Sequence, residues 1–141
     1  GQPGNLFLIP EDLGKTNLED ALGSQAAWDR NSKTVFLAEG LLMYLHPKSV
    51  RELFIRCARV AGKGTRFAFS YIPSGSDGRP DAGPWSGLML WLQRVIGEPW
   101  IWSIRPGDLG LFLEVSGWRN GPEQAETTRK HGVEYYAAVF R

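Results

Sequence analysis

The sequence predicts an α/β layer fold, and three observations carry that prediction. Short apolar runs recur at LFLI (6–9), TVFLA (34–38), TRFAFSYI (65–72) and VEYYAAVF (133–140). They are nearly continuous rather than alternating, the pattern of strands covered on both faces. Helical patterns separate them, as βα units require.

Each element has its own local reason. LFLI reads as a short buried strand. In GKTNLEDALG, Thr16 and Glu19 fit a capping box, and Leu18, Ala21 and Leu22 form the apolar side of a short helix. TVFLA is a second buried strand. In KSVRELFIRCARVAG, Val50, Leu53, Phe54, Cys57 and Ala61 recur at helical spacing, while Lys48, Arg51, Glu52, Arg56 and Arg59 largely take the other side. Pro47 suits the first turn and Gly62 the end. That charged stripe reads as a solvated face rather than a binding patch.

TRFAFSYI is a third strand. PSGSDGRPDAGP (73–84) is a loop by composition. WSGLMLWLQRVI (85–96) is helical and apolar on nearly every side, which predicts burial on more than one face or a helix lining a cavity. Pro106 starts a helix with Leu109, Phe112 and Leu113 inward and Gly117 closing it. VEYYAAVF is the final strand. Ligand sites in such folds lie beyond the C-terminal strand edges. Glu11-Asp12, Glu39-Gly40 and Tyr71-Ile72 therefore share one predicted rim.

Bulk properties narrow the function. The chain has 141 residues, 43% hydrophobic and 22% charged, enough for one domain. Sixteen basic and 15 acidic side chains leave a net charge of +1, with no field for gripping nucleic acid. No apolar run approaches the roughly 20 residues of a membrane span. GQPGNLF does not read as a signal peptide. The single cysteine, Cys57, excludes an internal disulfide and a cysteine zinc site, and fits a reducing, cytoplasmic compartment.

Several chemistries are discouraged. There is no GxSxG nucleophile elbow, which argues against a small hydrolase. Cys57 sits on the apolar side of its helix as a small core residue. His46 and His131 lack metal-ligand spacing, so no metal is expected. GDLGLF resembles a dinucleotide loop, but no strand feeds it and its apolar residues belong to a helix face. What remains are the carboxylates Asp12 and Glu39 after apolar runs, placed either to accept hydrogen bonds from a ligand or to cap a helix. Four of the six tryptophans, Trp85, Trp91, Trp100 and Trp102, cluster as core filler or as a pocket wall.

Taken in order, FLAEGLLMYLHPKSV, the helix and GKGTRFAFSYI resemble the C-terminal half of the leucine carboxyl methyltransferase family. That family includes class I S-adenosylmethionine-dependent O-methyltransferases that act on carboxyl groups. IPEDL (9–13), EPWIWSIRPGDLGLFLEVSGW (98–118) and HGVEYYAAVFR (131–141) resemble further family segments. The resemblance implies the C-terminal part of a Rossmann-like, three-layer sheet lacking its first strands. Residues 1–141 would be part of one methyltransferase domain, with 73–105 a loop-helix insertion lining the acceptor pocket.

It also implies S-adenosylmethionine as cofactor. Asp12 and Leu13 would serve its adenine end, and Glu39 beside Gly40 its methionine end. Tyr71, Trp85, Trp91 and Trp102 would face a small apolar or aromatic acceptor. Ser70 departs from the family's usual Phe-Asp-Tyr, where an acid stands. No catalytic base is identifiable, and a carboxylate acceptor needs little base catalysis because positioning supplies most of the effect. The family's glycine-rich loop and ribose-binding acid are not in this sequence. The resemblance therefore implies an incomplete fragment, inactive alone, whose exposed sheet edge would favour a homodimer. The competing class is a non-catalytic α/β binding or interaction protein.

Overall fold

The computed structural model describes residues 4–12, 16–81, 83–120 and 134–141. Its centre is a four-stranded sheet in which β1 (Val35–Ala38) pairs in parallel with β2 (Arg66–Tyr71). The last strand, β4 (Tyr135–Phe140), inserts antiparallel between β2 and the two-residue β3 (Arg119–Asn120), giving the order β1-β2-β4-β3. The chain returns between the parallel strands through α2 (Pro47–Val60). The short α1 (Leu18–Gly23) precedes β1, and α3 (Ser86–Val95) and α4 (Pro106–Val115) follow β2.

The core lies between the sheet and the helices α2 and α4. Val50, Phe54 and Cys57 form the buried stripe of α2, as their spacing predicts. Phe54 meets Phe67 and Phe69 of β2 and Phe112 of α4, with ring centroids 4.6, 5.0 and 5.1 Å away. Trp118, after α4, is buried, and its Nε1–H donates to the Phe54 carbonyl at 2.9 Å. Gly117 makes the turn into it at φ +87°, a conformation that a side chain resists.

Several expectations need correction. LFLI is not a strand: Leu6, Phe7 and Leu8 are exposed and lie outside the sheet. An apolar run becomes a strand only where a neighbouring strand pairs along it, and LFLI is not one of the four paired strands. The Thr16–Glu19 capping box does not form. Thr16 Oγ1 donates to Glu11 Oε2 at 2.9 Å, and Asn17 takes the cap position with no side-chain cap bond.

β1 is not covered on both faces. Val35 and Leu37 are 66% and 71% exposed, on the same sheet face as the exposed Arg66. Among the described residues, helices cover only the other face. α3 forms where predicted but buries none of its residues. β3 carries no sequence signal, since two residues show no period.

Candidate cofactor and acceptor site

The rim is built at the C-terminal ends of β1 and β2. β1 ends at Ala38, and Glu39 and Gly40 turn away from the sheet, Gly40 at φ +63°. The Gly40 N–H donates to Ser70 Oγ at 2.8 Å, and Ser70 is fully buried on β2. A hydroxyl suits this position. It is neutral, so burying it costs far less than burying a carboxylate, and it gives the turn's N–H an acceptor. Ser70 therefore locks the turn that carries Glu39. The Glu39 side chain is exposed.

After Gly40 the chain makes a single 3-10 turn at Leu42–Tyr44, with Leu42 and Met43 buried. Segment 4–12 lies nearby. Glu11 and Asp12, with Leu18, Leu41, Leu45 and Leu53, line a cleft of about 450 Å³. Leucines wall it, and three carboxylates, Glu11, Asp12 and Glu52, stand at it with Ser49 and Arg56. Such a lining suits a flat base with an exocyclic amine: apolar walls take the ring faces and an acid accepts the amine's hydrogens. Asp12 lines this cleft, although among the described residues the strand that the sequence predicted before it does not form. Leu13 lies outside the described residues.

The segment 73–105 leaves the end of β2 and returns to it. Pro73 and Ile104 bridge in parallel at its neck, and Ser74 Oγ and Ser103 Oγ share a hydrogen bond of 2.8 Å. Its returning segment docks on the rim: the N–H groups of Ile101 and Trp102 both donate to the Met43 carbonyl, at 2.7 and 3.1 Å. The sheet rim and the insertion are one connected structure.

The four tryptophan and tyrosine positions expected at an acceptor pocket separate. Tyr71 has no exposure and packs on Phe69 and Tyr135, and Trp102 is buried against Phe112. Both are core residues, because their elements turn them toward the α4 side. Trp85 and Trp91 are 70% and 60% exposed, and Trp91 lines a cleft with Trp100, Arg79 and Arg94. Sequence reasoning placed Trp100 in the aromatic cluster but missed the two arginines, which stand 15 residues apart in the chain. A further cleft of about 430 Å³ is lined by Tyr44 of the 3-10 turn together with Gly97, Glu98, Pro99 and Ile101.

Cys57 is no nucleophile here. Burial first, and the nearby Glu19 carboxylate second, push its thiol up to about 12. His46 is the exposed cap residue of α2, and His131 lies outside the described residues. Among the described residues no cluster of three metal-ligating side chains occurs, and no helix is long and apolar enough to cross a membrane.

The segment that builds the cleft and β1 is also the one with a family match. Residues 2–58 match the leucine carboxyl methyltransferase family. The match holds Asp12, Leu13, Glu39 and Gly40, and it ends within α2. The methyltransferase likeness continues in the fold. PigF with SAH aligns at a TM-score of 0.53 and 16% identity, over 76% of this chain and 30% of that one. CalO1, a methyltransferase in calicheamicin biosynthesis in its SAH-bound form, aligns at 0.51 and 13%, over 75% and 29%. Human N-acetylserotonin methyltransferase in complex with SAM aligns at 0.50 and 14%, over 76% and 29%.

The chain therefore spans about a third of the length of the solved structures it matches. At these identities the likeness is one of fold: part of a Rossmann-like methyltransferase sheet. No curated protein matches the chain.

Proposed function

We propose that this chain forms the C-terminal part of an S-adenosylmethionine-dependent O-methyltransferase acting on the carboxyl group of a small apolar or aromatic molecule. The observation that carries the reading is the leucine-walled, acid-edged cleft built by the segment that matches the leucine carboxyl methyltransferase family. S-adenosylmethionine, when bound, supplies a methyl group on a positively charged sulfur. Asp12 accepts the adenine amine, with Leu13 and the cleft leucines against the ring. Glu39 takes the polar groups at the methionine end, on a turn that Ser70 holds.

Residues 73–105 hold the acceptor, since their neck and returning segment fix them to the same rim. A carboxylate acceptor is already anionic at neutral pH. The chain's task is then to orient it and keep water out, which can supply many powers of ten in rate. No side chain is assigned as a base. Cofactor affinity also needs a glycine-rich loop, so the 141 residues alone bind weakly and do not turn over. The open sheet face and free edge of β1 make the isolated chain self-associate.

The test is methyl transfer by the full-length gene product carrying this segment, across carboxylic and phenolic acceptors. Transfer to carboxylates supports the reading. Absence of transfer and of cofactor binding favours a non-catalytic binding protein, for which the exposed apolar α3 is the supporting feature.

A further inference from the structure

We propose that the cleft between residues 79–80 and α3 is a binding site for an aromatic carboxylate, with Arg79 and Arg94 meeting the carboxylate and Trp91 and Trp100 meeting the ring. This assigns a cleft and named residues to the acceptor and rests on the methyltransferase reading for its role. The cleft measures about 440 Å³, within the range of small-molecule sites.

The charge balance of the cleft favours an anion. Arg79 and Arg94 both line it, and neither has a carboxylate partner among the described residues. Glu98, four residues after Arg94, forms no ion pair with it, and the two acids that flank Arg79 in the chain bond backbone and hydroxyl donors. Asp77 Oδ1 accepts the Arg79 backbone N–H at 3.0 Å, and Asp81 Oδ1 accepts from the Gly83 N–H and Ser86 Oγ at 2.8 and 3.2 Å. Two guanidiniums facing one cleft repel each other, and a shared carboxylate relieves that repulsion while matching their planar donor geometry.

The walls favour a flat ring. Trp91 presents an exposed indole on α3, and Pro80, Leu90 and Pro99 complete an apolar surround. The Trp100 indole N–H is buried with no acceptor among the described residues, so its desolvation is not offset within the cleft wall. The walls are also held in place. Pro80 bridges to Ser74, the Gly75 N–H donates to the Arg79 carbonyl at 2.8 Å, and the Asp81 N–H donates to the Pro73 carbonyl at 2.8 Å. The arginine side of the cleft is thereby tied to the neck of the insertion, and through it to the end of β2.

Calorimetric titration of the 141-residue chain with naphthoate and with its neutral isostere naphthamide, at low salt and without cofactor, tests this directly. Naphthoate should bind about tenfold tighter than the amide. R79Q and R94Q should each remove most of that preference and leave amide binding unchanged, while W91A should weaken both ligands. Both arginines are exposed, so circular dichroism is expected to match the parent chain. Equal binding of acid and amide, no binding of either, or a preference that survives both arginine changes would overturn the inference. Cofactor titration of the full-length product is read separately. Loss of the acid preference there with cofactor binding intact removes this site alone, and acid preference without cofactor binding removes the methyltransferase reading alone.

Discussion

Ser70 shows how one side chain sets a site it does not touch. Its hydroxyl accepts the Gly40 N–H from inside the sheet and so ties the turn bearing Glu39 to β2. S70A leaves that N–H without its partner and should cost about 1–2 kcal/mol in urea denaturation. The alanine variant of Gly40 should be destabilised by a similar amount, about 1–2 kcal/mol, because φ +63° strains any residue with a Cβ. The sequence marks residue 70 only as a serine where the family has an acid. The bond that explains it spans 30 positions and has no local signature.

Cys57 gives a pH prediction. Its folded thiol titrates at about 12 against an ordinary 9.0, so the native state binds the proton more tightly than the unfolded chain. The stabilising contribution is complete below pH 9.0 and is lost as pH rises toward 12. A thiol reagent at pH 8 should label Cys57 only as fast as the chain unfolds. Rapid stoichiometric labelling of folded protein would show that the thiol is accessible.

Among the elements, α2 and α3 mark what an apolar pattern can and cannot reveal. The stripe Val50–Phe54–Cys57 was legible because its helical spacing points one way, and the sheet covers it. The residues of α3 are apolar on nearly all sides, so the pattern gave no direction and no cover. The helix is instead exposed at Leu88, Trp91, Leu92 and Val95. Substitution should separate the two kinds of helix. L88Q or L92Q should change stability by less than about 0.5 kcal/mol, and L113A in α4 should cost about 2–5 kcal/mol. The same reasoning covers LFLI, whose composition suits a strand but for which the sheet supplies no neighbour.

For the molecule as a whole, the β1–α2–β2 unit was legible from the order of elements, whereas the cover of β1 on one face only, among the described residues, was not, since its apolar run predicted cover on both. The antiparallel insertion of β4 was not legible either, because strand order depends on which edge is free and not on any strand's own residues. Among the described residues β1 is an edge, and Val35 and Leu37 are open on the face that none of the described helices covers. An apolar edge of this kind seeks a second chain. Sedimentation of the 141-residue chain should show dimers at micromolar concentration, and L37K should shift them toward monomer. A parent chain that stays monomeric at high concentration would count against edge pairing.

The cleft and the rim turn are bound most closely to the proposed methyl-donor site, so cofactor affinity is the direct measure. Titrating the full-length product with S-adenosylmethionine should give binding that D12N and E39Q each weaken about tenfold or more. Affinity that neither change alters, or no binding at all, would contradict a cofactor site at this rim.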